Sequence, residues 1–159
     1  MLNKIRHTLI IIVLCFCATA HATTIQPGDL LITEVMANPA AVSDTNGEWF
    51  EIFNQSSNSI DLNRLTISDD GSNTHQINSS NSLLIAPGAY FVFGRNGDSI
   101  SNGGYLADYV YNNFSLGNTT DQIVLSDNGN EIARLNYTGL PFGSAGASAE
   151  LVFQLTNPD

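Results

Sequence analysis

Basic residues are scarce in this sequence. Its 159 residues contain five Lys and Arg against fifteen Asp and Glu, which gives a formal net charge of −10. A chain without clustered Lys or Arg cannot neutralise a series of phosphates, so we expect no direct nucleic-acid binding. The same net negative charge helps to keep a protein soluble.

Cysteine and long apolar runs are also rare, and both occur only near the start of the chain. Cys15 and Cys17 lie in the apolar run 9–17, which follows a short basic region at 4–7 and precedes the small residues of Ala20-His21-Ala22. This order is typical of a secretory signal peptide cleaved after Ala22. The run is shorter than the roughly 20 residues that a transmembrane helix needs. The alternative is an uncleaved anchor.

A signal peptide at residues 1–22 leaves a second unit, residues 23–159, of 159 − 22 = 137 residues, the size of one domain. This unit has no cysteine, so its hydrophobic core must stabilise it without disulfides. It has three arginines against all fifteen acids, a balance of 3 − 15 = −12. We expect an exported protein, extracellular, periplasmic or at the cell surface, with no transmembrane span after cleavage.

Helical periodicity is missing from residues 23–159, where short β-branched and aromatic runs alternate with turn signals. The clearest predicted hairpin spans 121–137, with its turn at Asp127-Asn128-Gly129-Asn130. A second hairpin is predicted around Pro87-Gly88, between 82–86 and 89–94. A final strand is predicted at 149–155. The pattern predicts an all-β domain, a β-sandwich of about eight short strands.

The stretch 47–54 has the strongest strand character, and neither of its two faces is purely apolar. It contains the single tryptophan of the chain and ends at a turn-forming Asn-Gln-Ser-Ser run. Side chains of a strand alternate between its faces, so burial of either face also places a glutamate or an aromatic ring in an unusual position. One face carries Glu48, Phe50 and Ile52, and the other carries Trp49, Glu51 and Phe53.

A calcium site is one hypothesis for the start of this stretch. Asp44, Asn46 and Glu48 alternate around Gly47, and Glu51 follows three residues later. Calcium prefers such oxygen ligands on a tight loop, and the extracellular space supplies the ion. Alternatively, Asp44 and Asn46 are turn residues, and Glu48 and Glu51 are exposed strand acids. Calcium is the only cofactor that the sequence suggests.

An aromatic binding surface is a second hypothesis. Trp49, Phe53, Tyr109 and Tyr111 are predicted to form an exposed platform for a protein or a sugar, since aromatic rings bind both. Core packing is the alternative for most of these rings.

Catalytic motifs are not evident. His75 is the single histidine of residues 23–159, and no nucleophile elbow surrounds a serine. We expect His75 to face solvent on a strand. Glu34, Glu48 and Glu51 would lie close together if their strands pair, but we expect no deep cleft that a glycosidase would need.

Several motifs follow one another along the chain: Leu31-Ile32-Thr33-Glu34-Val35-Met36-Ala37-Asn38-Pro39, the stretch 47–54, Asp61-Leu62, Ile67-Ser68-Asp69-Asp70-Gly71, Leu84-Ile85-Ala86-Pro87-Gly88-Ala89-Tyr90, Leu116-Gly117-Asn118 and Asp121-Gln122-Ile123-Val124-Leu125. Taken in order, they closely resemble the bacterial lamin-tail domain, over residues 28–148. The resemblance implies an immunoglobulin-like β-sandwich with Phe50 and Ile52 facing inward and no catalytic residues of its own. It also implies an accessory module of exported proteins, and a longer C-terminal end than this chain has, so we expect a fragment or a shortened member.

These observations lead us to expect a non-catalytic module that binds a protein or cell-surface partner, or that positions a neighbouring domain. The alternative is the N-terminal accessory domain of a secreted nuclease or phosphoesterase whose catalytic part is missing from this chain. A structural role in an assembly of the cell envelope is a third option.

Overall fold

Eleven β-strands and one helical turn form the part of the chain that the structure, a computed structural model, describes: residues 24–139 and 144–151. The predicted signal peptide, 1–22, and residues 152–155 of the predicted final strand lie outside it. Within the described part, no helix has the length and apolar character needed to cross a membrane. The elements are β1 (Leu30–Met36), α1 (Asp44–Gly47), β2 (Trp49–Asn54), β3 (Ile60–Asp61), β4 (Thr66–Ser68), β5 (Thr74–Gln76), β6 (Leu84–Ile85), β7 (Tyr90–Gly94), β8 (Tyr109–Val110), β9 (Thr120–Asp127), β10 (Asn130–Thr138) and β11 (Ala149–Glu150).

The strands form an immunoglobulin-like β-sandwich. One sheet has five strands in the order β11-β1-β2-β7-β8, the other has four in the order β10-β9-β4-β5, and β3 and β6 form a separate pair. Every pairing is antiparallel except that of β7 with β8. The count exceeds the expected eight because four of the strands have only two residues each. The predicted fold class is confirmed.

The core lies between the two large sheets and is rich in aromatic rings. Phe50 and Ile52 of β2 are fully buried, as the sequence predicts, and they share one cluster with Ile67 and Ile123 of the four-stranded sheet. The Phe50 ring stacks on Phe93 with ring centroids 5.0 Å apart. This core explains how a domain without disulfides is stabilised.

A β-bulge in β1 changes which face its side chains occupy. Ile32 and Val35 are both buried, although residues three apart in a regular strand point to opposite faces. The pairing with β2 shifts between Ile32 and Glu34, so Thr33 and Glu34 together oppose Glu51. The extra residue brings Val35 back to the inward face that Ile32 also occupies. Thr33 and Glu34 therefore share the solvent side of the sheet with Glu51.

The hairpin predicted at 121–137 is confirmed. Asn128 and Gly129 form its two-residue turn, with φ of 49° and 82°. Positive φ at both central positions is typical of the turn that matches the twist of two antiparallel strands.

The hairpin predicted around Pro87-Gly88 is wrong. β6 pairs with β3, whereas β7 pairs with β2, so the chain passes from one sheet to another at this turn. The buried Asn54 side chain holds the crossing, since its Nδ2 donates to the carbonyl oxygen of Ile85 at 3.1 Å. A tight turn is a local signal, but the partner of each strand is set by distant residues.

Candidate functional site

The side of the five-stranded sheet that faces away from the core carries aromatic and acidic side chains. We call it the outer face and define it by Trp49, Glu51 and Phe53 of β2 and their neighbours on adjacent strands. The three residues are half-buried and alternate with the buried Phe50, Ile52 and Asn54. They follow each other at about 6.8 Å along the strand.

An aromatic pair lies at one end of the outer face. The rings of Trp49 and Tyr105 have centroids 6.0 Å apart, and the hydroxyl of Tyr105 donates to the carbonyl oxygen of Asn46 at 3.3 Å. Gly94 pairs with Trp49 across the strands, and a Cβ at Gly94 would lie 2.5 Å from the Tyr105 ring. Glycine at this position therefore leaves the room that the Tyr105 ring occupies.

A second aromatic pair lies at the other end. Phe53 and Tyr90 are directly opposite on β2 and β7, with ring centroids 4.9 Å apart. Tyr90 is 59 % exposed, which is unusual for a ring of this size next to another aromatic. Both ends of the outer face thus present aromatic surface to solvent.

A row of carboxylates separates the two aromatic pairs. Glu150, Glu34 and Glu51 are successive cross-strand partners on β11, β1 and β2. Asp108 follows beyond Val92 of β7, whose backbone N–H donates to Asp108 Oδ2 at 2.8 Å. Like charges directly opposite each other destabilise a sheet. The row is therefore an electrostatic cost in the folded protein.

Glu51 lies at the centre of the row, and its pKa is raised. Partial burial is the largest cause, and the charges of Glu34, Glu150 and Asp108 raise the pKa further. The hydroxyl of Thr33 donates to Glu51 Oε1 at 2.8 Å and acts in the opposite direction.

The arginines of the described residues do not neutralise this row. Arg95 pairs with Glu48 at 3.0 Å, and Arg134 pairs with Asp70 and Glu131 on the other side of the molecule. Arg64 lies in the turn between β3 and β4. The outer face is thus aromatic at its ends and negative in the middle.

In a comparison with protein-family models, the Lamin Tail Domain model matches residues 23–139. The chain belongs to the lamin tail domain family. A search among curated proteins finds no match. The resemblance seen in the sequence is thereby confirmed.

In this lamin tail domain, the four residues of the calcium hypothesis do not converge. Glu48 and Glu51 point to opposite faces of the five-stranded sheet, and Asp44 Oδ2 accepts a hydrogen bond from Asn118 Nδ2 at 3.2 Å. Asn46 belongs to the helical turn α1. No group of three or more His, Cys, Asp or Glu side chains within residues 24–139 and 144–151 could hold a metal ion.

Glu48 is not the exposed strand acid that the alternative reading expected. It is 1 % exposed, its Oε2 lies 3.0 Å from Arg95 Nη1, and the backbone N–H of Leu116 donates to the same oxygen at 3.2 Å. Burial raises the pKa of Glu48, while the bonds from Leu116 and Arg95 lower it. Glu48 thus links β2 to two loops and is structural.

The structure divides the four predicted aromatic residues. Trp49 and Phe53 lie on the outer face, but Tyr111 is 1 % exposed and packs edge-on against Phe114 in the core, so its placement on a surface was wrong. Its hydroxyl is buried and has no hydrogen-bond partner among the described residues. Tyr109 is half-buried, and its hydroxyl lies 3.0 Å from His75 Nε2.

His75 is buried, which corrects the expectation that it faces solvent. It is 8 % exposed, and its ring also contacts Asn112 Oδ1 through Nδ1 at 3.2 Å. Both ring nitrogens are therefore engaged in holding the 109–112 segment against β5.

Sequence reasoning missed five residues of the outer face. Two signals were available: Tyr90 leads a strand that alternates in phase, and Glu34 was expected to lie near Glu51 if their strands pair. The bulge that turns Glu34 outward has no signature in the local sequence. The positions of Tyr105, Asp108 and Glu150 on the outer face depend on how distant strands pair. The five are Glu34, Tyr90, Tyr105, Asp108 and Glu150.

Proposed function

We propose that this lamin tail domain is an exported binding module that holds a protein or cell-surface partner on the outer face. One observation carries the proposal: partly exposed aromatic rings occupy both ends of this face, with Tyr90 59 % exposed beside Phe53. Exposed rings that are rigid and closely packed are typical of residues that contribute much of an interface's binding energy.

We propose further that the module acts by binding and not by catalysis. His75, the histidine of the described residues, is buried between Tyr109 and Asn112 and lies away from the outer face. Glu48, the most buried acid of the described residues, is paired with Arg95. Export is supported by the signal-peptide order of residues 1–22.

Binding to whole cells tests the proposal. Purified protein carrying a fluorescent dye at its amino terminus is mixed with cells of the producing organism, and the fraction that sediments with them is measured. We expect Phe53→Ala with Tyr90→Ala to weaken binding by about tenfold or more, because truncation of two aromatic anchors of an interface costs at least about 1.4 kcal/mol.

Leu84→Ala is the matched control. Leu84 is 60 % exposed, as Tyr90 is, but it lies on β6 outside the five-stranded sheet. Circular dichroism and thermal melting verify that both variants are folded. Equal binding by the double variant and the parent protein would rule out the outer face as the binding surface.

A further inference from the structure

The outer face has a chemical character that specifies its partner beyond the proposed function. The feature is the alternation along β2 of an aromatic pair, a carboxylate and a second aromatic pair. Trp49, Glu51 and Phe53 provide it, at a spacing of about 6.8 Å between neighbours. An extended peptide repeats its side chains on one face at the same spacing.

We propose that the outer face docks an extended, arginine-bearing segment of a partner protein. The inference rests on the proposed function, and it names the chemistry of the partner. A guanidinium meets the carboxylates of Glu34 and Glu51, and the aromatic pairs cover its methylene stem and its planar face.

Charge complementarity is the first argument. Glu150, Glu34 and Glu51 are adjacent across three strands, and the arginines of the described residues lie outside this row. A cationic partner relieves the repulsion within the row on binding, so the cost in the free protein becomes a gain in the complex.

The aromatic pairs are a second, independent argument for a guanidinium. A planar guanidinium stacks on aromatic faces. Unlike an ammonium, it also binds a carboxylate with two parallel hydrogen bonds. Phe53 with the exposed Tyr90, and Trp49 with Tyr105, place such faces on both sides of Glu51.

The spread of the carboxylates favours a segment over a single ion. They belong to strands about 4.8 Å apart, so the row extends over the width of several strands. Within the described residues, no three acidic side chains are arranged to share one metal ion. A chain with several contacts fits this geometry.

Calorimetric titration with a short synthetic peptide of alternating glycine and arginine tests the proposal. We expect binding to the parent protein, and a loss of about tenfold or more in affinity for Glu34→Gln with Glu51→Gln and Glu150→Gln. Glutamine keeps the shape of each side chain and the acceptor for Thr33, so the variant should fold. A lysine peptide of the same pattern should bind more weakly than the arginine peptide.

The control variant carries Asp70→Asn, Asp127→Asn and Glu131→Gln. It changes the net charge by the same amount, but these residues lie on the other sheet or its flanking turn. It should bind the peptide as the parent does. Equal losses in the two variants, or no binding by the parent, would overturn the proposal.

The proposed function has a separate outcome. If the arginine peptide does not bind but the Phe53→Ala with Tyr90→Ala variant still loses cell binding, only the partner chemistry is wrong. If that variant binds cells normally while the peptide result holds, the outer face binds cations without serving as the cell-binding surface.

Discussion

Successive residues of β2 have very different surroundings. Phe50 is fully buried between Phe93, Tyr111 and Phe114, whereas Trp49 is half-buried against Tyr105. Trp49 has the larger apolar side chain but is less buried than Phe50. Stability and binding should therefore depend on different residues of the same strand.

Truncation of these two rings should separate their roles. Phe50→Ala should lower the free energy of unfolding by about 3 to 5 kcal/mol, because it leaves a cavity in the core. Trp49→Ala should cost less stability, about 1 kcal/mol. Urea unfolding followed by circular dichroism measures both, and the reverse order of costs would contradict the face assignment.

The pair of the buried Glu48 and the partly exposed Arg95 should make stability depend on pH in a defined way. Arg95→Ala leaves the Glu48 carboxylate buried without its partner, which should cost about 3 kcal/mol at pH 8. Burial already raises the pKa of Glu48, and loss of Arg95 raises it further. The folded variant therefore takes up a proton as the pH falls, and the cost should shrink towards pH 5.

Arg95→Met is the control for packing, since it keeps a long side chain without the charge. It should show the same pH dependence as Arg95→Ala. A cost that is equal at pH 8 and pH 5 in both variants would mean that the Arg95 charge does not stabilise the folded state.

At the scale of elements, local signals predicted the strands better than their partners. The hairpin of β9 and β10 was predictable because Asn128-Gly129 both starts the turn and fixes the pairing. The Pro87-Gly88 turn was equally visible, but β7 pairs with β2, which lies far away in the sequence. Tyr111 was misplaced because the inward path of the chain after β8 depends on contacts with Phe50 and Phe114.

The β9–β10 turn should depend on its backbone conformation alone. Gly129 has a φ of 82°, and a Cβ there would meet nothing within 4 Å. Gly129→Ala should therefore cost about 1 to 2 kcal/mol of stability through the left-handed conformation. Gly129→Asn should cost less, because asparagine tolerates positive φ. Thermal unfolding measures both, and equal costs would contradict this account.

At the scale of the whole molecule, the excess of acids should make stability sensitive to salt. Residues 23–159 have a balance of 3 − 15 = −12, and the row on the outer face concentrates part of this charge. Glu34→Gln with Glu51→Gln should stabilise the protein by roughly 0.2 to 1 kcal/mol at low salt. The gain should become smaller in 0.5 M NaCl, since screening weakens repulsion between exposed charges.

The pH dependence of this effect has a definite sign. The pKa of Glu51 is raised above 4.5 in the folded protein, so the folded state holds its proton more tightly than the unfolded state. Stability from this group is present at low pH and is lost as the pH rises through the folded pKa. Glu51→Gln should remove the decrease in stability with rising pH that comes from Glu51, as melting curves between pH 4 and pH 8 would show.

The bulge in β1 also affects how the gene for this domain can change. Because Thr33 and Glu34 together oppose Glu51, one of these two codons is extra to the regular alternation of β1. Loss of either codon would leave Ile32 and Val35 two residues apart, the spacing at which side chains of a regular strand share a face. A single-codon deletion between Ile32 and Val35 should therefore keep both residues buried, whereas loss of the codon between Leu30 and Ile32 would place one of these buried residues on the solvent face.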